Sequence, residues 1–516
     1  MLTIREMPGT ELMIGLVGAA GTDLPRISEV IQKALATINY QVHPIRLSHM
    51  LHDFEPYAHL PSIADEADKI HAYMDAGNEL RQNTRADIMA LLGIAAIRVH
   101  RRDHGAGPPE EAEDQPLDRT AFVFNSLKRK EEVALLQEVY GRSFLLISVF
   151  GSRDLRRDAL ADRIAKSRHV EPSKCRAAAE ALIDRDEFEA EIPRGQNVRD
   201  TFPLGDIFLD ADDASGIEGA VQRAIDIAFG HPFETPTRAE LGMQFARSAA
   251  LRSSDLSRQV GYAALSDDGQ VIAVGANEVA KPGGGFYWPA ADDDQRDFRF
   301  ADREQNAAMK LDILADLLDK LKPKYLKETI DLTAPGLAMI ATDLKNSSFM
   351  AITEYGRAVH AEMAVVTDAA RRGVSIAGST MYGTTFPCHN CAKHIVAAGV
   401  REVVYIEPYP KSQVSRLFRD SISTERDAKG RIPFSPFVGI APHRFSDFFE
   451  MPDRKRNDGT VIRWDDIRRT QLPRVRSDPA SYIPLENDKV KTDLGTALAN
   501  AKIQLVASSD ENRPAK

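Results

Sequence analysis

"VHAEMAVVTDAARRGVSIAGSTMYGTTFPCHNCAKHIVAAGVREVVYIEP", Val359 to Pro408, divides into four segments. The run 359–372 has apolar residues at helical spacing and stops at Gly373. "GSTMYGTT" (378–385) reads as a strand, a helix is expected from Cys388, and "REVVYIEP" (401–408) reads as the next strand. Helix, strand, helix and strand in close succession predict parallel strands joined by helical crossovers.

The chemistry lies inside the same stretch. Cys388 and Cys391 are two of only three cysteines, and positions i and i+3 share a helix face. A thiol at a helix N-terminus has its thiolate stabilised by the backbone dipole. Upstream, His360 and Glu362 form H-A-E, and 24 residues separate Glu362 from Pro387. The arrangement H-x-E…P-C-x-x-C is the signature of zinc-dependent deaminases. One imidazole and two thiolates make three zinc ligands and leave the fourth position open, as catalytic sites do. The expected metal ligands are therefore His360, Cys388 and Cys391, holding one catalytic Zn2+ per chain, and the expected proton carrier is Glu362. Residues i and i+2 of a regular helix do not face one way, so His360 is expected at the irregular start of its helix. A closed structural site would need a fourth ligand, which His389 or His394 would supply. Cys175 reads as a packed, inert thiol.

Farther out, strand and helix runs alternate through the first part of the chain. "ELMIGLV" (11–17), "YQVHPIRL" (40–47), "TAFVFNS", "SFLLISVFG" and "DIFLDA" read as strands, with helical runs between them. This predicts an α/β fold with a parallel sheet covered on both faces. "GHPFETPTRAE" (230–240) breaks the pattern and marks a domain boundary. Beyond it, "RQVGYAALSDDGQVIAVGAN" reads as a hairpin turning at Asp268-Gly269. A polar insertion is expected at about 280–355, with its "ADDDQRD" run a solvated loop. The segment from 476 is polar and weakly periodic, and reads as a mobile tail.

A chain of 516 residues exceeds one ordinary core. The net charge of −10 argues against a surface built to wrap a nucleic-acid backbone. Three cysteines make no disulfide framework, and Met1 to Thr10 lacks the apolar stretch of a secretory signal. No window reaches the length of a membrane span. A cytoplasmic protein without a membrane partner is expected.

From about 240 to 470 the chain resembles the deoxycytidylate deaminase branch of the cytidine deaminase superfamily, on the Val359–Pro408 stretch and the hairpin before it. With "ELMIGLVGAAGTDL", "GRSFLLISVFGSRDLRRDALADRI", "GQNVRDTFPLGDIFLD", "GGGFYWPAADDDQRDFRFAD" and "EPYPKS" added, it resembles the bacterial anti-phage dCTP deaminases. That resemblance implies a P-loop kinase-like parallel-sheet domain over 1–235, followed by a cytidine-deaminase-like α/β/α domain over 236–475. It implies deamination of free deoxycytidine nucleotides, dCTP and dCMP, which depletes the dCTP pool in defence against phage. It also implies a homo-oligomer and restraint by a small RNA or protein regulator. Asn277 fits the position that holds the sugar, although a turn Asn after a strand reads the same way. Lys411 and Arg258 are candidates for the substrate phosphate and Tyr409 for stacking, each against the plainer reading of a surface cation or a packed ring. The competing function is deamination of a base in tRNA or single-stranded DNA.

"GLVGAAGTD" puts Gly15, Gly18, Gly21 and Thr22 on a strand-to-helix turn, where small residues let a backbone approach phosphate. The resemblance extends to a nucleotide bound there. The turn lacks the lysine of a Walker motif, and its aspartate, Asp23, either repels phosphate or caps the helix.

Overall fold

The computed structural model describes residues 10–188, 194–289, 293–326, 330–345, 347–409, 412–424, 429–451 and 453–506. The chain forms two units, Met1–Pro236 with Val438–Lys516, and Thr237–Phe437.

In the first unit a sheet runs in the order Gly439–Ile440, Ile207–Asp210, Leu145–Phe150, Leu12–Val17, Thr120–Asn125, Gln41–Arg46. All neighbours are parallel except Gly439–Ile440, which lies antiparallel to Ile207–Asp210. Every residue of Leu12–Val17 is buried, as a central parallel strand requires. Its side chains alternate between two cores. Leu12, Ile14 and Leu16 pack with Ile31, Ile147 and Ile225; Met13 and Val17 pack with Leu91, Ile94 and Phe124. Crossovers from Leu12–Val17 and from Thr120–Asn125 leave in opposite directions. The glycine turn therefore lies at the carboxyl end of the sheet where the topology switches.

Two expectations about the carboxyl-terminal part are corrected. Residues 438–475 were expected in the deaminase-like domain, but they belong to the first unit, where Ile440, Phe448 and Trp464 enter its core. The expected mobile tail is helical over Pro479–Asp488 and Gly495–Ala501, joined by a wider turn at Lys489–Leu494. Tyr482, Ile483 and Leu494 are buried there. Glu486 meets Arg101, whose guanidinium also bonds Glu11 at 2.6 and 2.9 Å, while the Tyr482 hydroxyl donates to Glu11 at 3.0 Å. A buried ion cluster looks polar in sequence, which hid the packing.

The second unit holds a sheet in the order Ile422–Ser423, Ile432–Pro436, Glu402–Glu407, Thr380–Thr385, Gly261–Leu265, Val271–Ala276. Thr380–Thr385 and Glu402–Glu407 are parallel, and Gly261–Leu265 joins antiparallel to the first of them. Helix Ala361–Arg372 lies against Val271–Ala276 so closely that a Cβ on Gly275 would stand 2.6 Å from the Ala361 carbonyl. A short pair, Glu278–Val279 with Ala358–Val359, brackets the insertion. The insertion, expected as a polar segment, contains helices Gln305–Tyr325 and Ala334–Asp343. Asp294 of its acidic run is paired with Arg296 and Arg299.

Candidate active site

Three chain segments in the second unit deliver the site. Ala358–Val359 is held extended by its partner strand, and helix Ala361–Arg372 starts immediately after it. His360 between them is the N-cap, with φ −62° and ψ 150°. This resolves the facing problem of H-A-E, because His360 lies outside the helix while Glu362 lies in its first turn. Cys388 is likewise an N-cap, of helix His389–Ala397, and Cys391 sits in that helix's first turn. Two helix N-termini thus aim their positive ends at one place.

The Sγ atoms of Cys388 and Cys391 each lie 3.4 Å from His360 Nδ1. A tetrahedral zinc with bonds of about 2.3 Å to sulfur and about 2.05 Å to nitrogen separates those ligand atoms by about 3.6 Å. The donor set and its spacing fit Zn2+. The three ligand atoms lie within 4.8 Å of one another, and among the described residues neither His389 nor His394 joins them.

The protonation pattern reflects this crowding. Hydrogen bonding from Cys391 and then from His360 holds the Cys388 thiol down to about 4. His360 is raised to about 9, chiefly by its bond to Cys388. Cys391 is pushed up by Cys388 and by burial. Glu362 is 5% exposed, and burial, then the charge of Cys388, raises it to about 7. A carboxyl poised there exchanges protons at neutral pH.

Tyr262 packs against the strand that leads to Cys388 and was missed in the sequence. It is fully buried against Gly383, and its hydroxyl donates to the Thr385 carbonyl at 2.5 Å. Burial, then Glu362, Cys391 and Cys388, keep that hydroxyl protonated. Glu354 was also missed, and it receives Asn390 Nδ2 at 3.2 Å beside the thiol turn. Both are ordinary strand or loop residues in sequence, without a spacing that marks them.

The expected substrate contacts divide. Asn277 Oδ1 accepts from Val260 N at 2.8 Å and its Nδ2 donates to the Arg258 carbonyl at 2.9 Å, so it positions the segment carrying Arg258. Arg258 is paired with Glu407 at 2.9 Å and stands over the Tyr409 ring. Burial, then the charge of Cys388, raises the Tyr409 hydroxyl. Lys411 lies outside the described residues.

In the first unit the glycines have packing reasons. A Cβ on Gly15 would collide with Leu127 and Phe144, and Gly21 has φ +90° with the Arg156 carbonyl 2.5 Å from where its Cβ would be. Asp23 caps the following helix through Arg26 N at 3.1 Å. Ala20 N–H donates to the Asp186 carboxylate at 2.7 Å, and Lys128 bonds the Gly18 carbonyl at 3.2 Å and pairs with Asp186 at 3.5 Å. One N–H of the turn, that of Ala20, is therefore taken by the protein's own carboxylate. Thr22 Oγ1 is buried there without a hydrogen-bond partner.

Residues 236–407 match the family described as the cytidine and deoxycytidylate deaminase zinc-binding region. Deoxycytidylate deaminase of Enterobacteria phage T4 is 47% identical over 55 residues, 11% of this chain and 28% of that protein. The probable deoxycytidylate deaminase of Drosophila melanogaster is 31% identical over 103 residues, 19% of this chain and 46% of that protein. The chain thus spans less than half the length of these curated relatives. Among solved structures, dCMP deaminase from cyanophage S-TIM5 in complex with dCMP and dUMP is 17% identical, covers 39% of this chain and 98% of its own, and has a TM-score of 0.22.

Proposed function

We propose that the unit Thr237–Phe437 hydrolytically deaminates free deoxycytidine nucleotides, dCTP and dCMP, to dUTP and dUMP with release of ammonia. One observation carries this reading: a buried carboxyl, Glu362, stands beside His360, Cys388 and Cys391 and is not part of their ligand group. The match of residues 236–407 to the deaminase zinc-binding region supports it.

Zinc, when bound by these three residues, supplies Lewis acidity that makes water a usable nucleophile near neutral pH. Glu362 takes a proton from the attacking water and returns it to the pyrimidine ring nitrogen. It then carries the second proton to the exocyclic amine, so that a C4–O bond forms, the C4–N bond breaks and ammonia leaves. Asn277 has two hydrogen bonds in place and retains one N–H and one lone pair for a sugar hydroxyl. Arg258 and Lys411 are assigned the phosphate, and Tyr409 a stacking face.

The reading extends to depletion of dCTP in phage defence, to a homo-oligomer and to a small RNA or protein regulator, all on the resemblance alone. A nucleotide at the amino-terminal turn likewise rests on the resemblance alone; there Asp186 holds the Ala20 N–H. Purified protein incubated with dCMP, dCTP, deoxycytidine and a cytosine-containing oligonucleotide tests the core of the proposal. Ammonia release from a free nucleotide is expected. Turnover confined to the oligonucleotide would establish the competing nucleic-acid function instead.

A further inference from the structure

The Arg258 guanidinium is already engaged. Its Nη1 lies 2.9 Å from Glu407 Oε1, and its carbon sits 5.4 Å from the centre of the Tyr409 ring. Glu407 ends the strand Glu402–Glu407 and lies in register with Thr385. Its other oxygen accepts from Thr385 Oγ1 at 3.1 Å, and its carbonyl accepts from Phe386 N at 2.8 Å. Thr385 in turn presents its carbonyl to the Tyr262 hydroxyl, and Cys388 follows three residues later. One carboxylate therefore reaches from the strand leading into a metal ligand to the cation assigned to phosphate.

Resting on the function proposed above, we propose that Glu407 is a specificity-determining residue, holding Arg258 before substrate arrives and competing with the substrate's phosphate for that guanidinium. The exchange is cheap. Side chains of Arg258 and Glu407 are 39% and 41% exposed, and pairs that open to solvent shift an equilibrium by no more than about five-fold. A phosphate offers Arg258 a bidentate partner of greater charge. Glu407 stays tied to Thr385 after losing Arg258, so its charge remains beside the incoming phosphates and opposes a triphosphate more than a monophosphate.

Glu407→Gln tests this, because Gln keeps an acceptor for Thr385 Oγ1 and removes only the charge. The ratio of kcat/KM for dCMP to that for deoxycytidine is expected to rise about three- to five-fold, through KM, and the ratio for dCTP to rise further. In an Arg258→Ala background the same substitution is expected to give a clearly smaller gain, from the lost repulsion alone. Ratios unchanged within two-fold, or an equal gain without Arg258, would overturn the proposal. Binding of dCMP and dCTP is measured by calorimetry in parallel. Binding without turnover would refute the deaminase function while the competition is still read from the affinities; absence of binding in every variant would remove both.

Discussion

Glu362→Gln is the substitution whose consequences the site specifies most fully. The side chain is 5% exposed and its carboxyl titrates at about 7 instead of the usual 4.5, because burial penalises its charged form. Gln matches its shape and cannot move a proton. General acid–base catalysis is worth about 10²–10⁴ in rate, so turnover should fall by that factor, or about 3–5 kcal/mol of barrier. Zinc content should be unchanged, because the proposed ligands are His360, Cys388 and Cys391. Stability gives a second readout in chelator-treated protein. A carboxyl with a raised folded pKa contributes its full stability below the unfolded value, and loses it as pH rises through the folded one. The window here is pH 4.5 to about 7, and the loss is on the order of 3 kcal/mol. Gln does not titrate, so the variant should gain on the wild type by that amount between pH 4.5 and 8 in denaturant titrations. A stability difference that stays constant across the window, a variant active within ten-fold of wild type, or a variant that has lost zinc would each refute the role given to Glu362.

Zinc uptake should release protons, since His360 near 9 and the raised Cys391 both carry one at pH 7. Chelator competition between pH 6 and 8 should show affinity rising about ten-fold per pH unit for each proton displaced, and a flat profile would contradict this. Gly275→Ala places a Cβ 2.6 Å from the Ala361 carbonyl, at the start of the helix bearing Glu362. Overpacking should cost about 1–3 kcal/mol and lower zinc retention, read by thermal denaturation and metal analysis. Glu486→Ala strips one carboxylate from the Arg101 cluster and should destabilise by about 3–5 kcal/mol in denaturant titration. A loss below 1 kcal/mol would show that the carboxyl-terminal helices are not anchored there.

How much of this was legible depended on the kind of signal. His360, Cys388 and Cys391 stand out because their residue types and spacing answer to one coordination chemistry, and the structure brings them together, with Glu362 in the helix turn that follows His360. The parallel sheets were legible because strands such as Leu12–Val17 are apolar throughout and alternate with amphipathic helices. The carboxyl-terminal helices were not, because Glu486 and Arg101 achieve burial by pairing, which a hydropathy reading counts as exposure. Asp186 and Glu407 were also invisible. Each is a single acidic residue whose partner, Ala20 N–H or Arg258, lies far away in sequence. The glycines of the amino-terminal turn have a packing reason that sequence does not display: Gly15 and Gly21 answer to Phe144 and Arg156.

X-ray absorption at the zinc edge on protein purified with zinc tests the central claim most directly. A single zinc per chain is predicted, with two sulfur neighbours at about 2.3 Å and nitrogen or oxygen neighbours near 2.0–2.1 Å. A first shell without sulfur, with one sulfur, or filled by four protein ligands would contradict it.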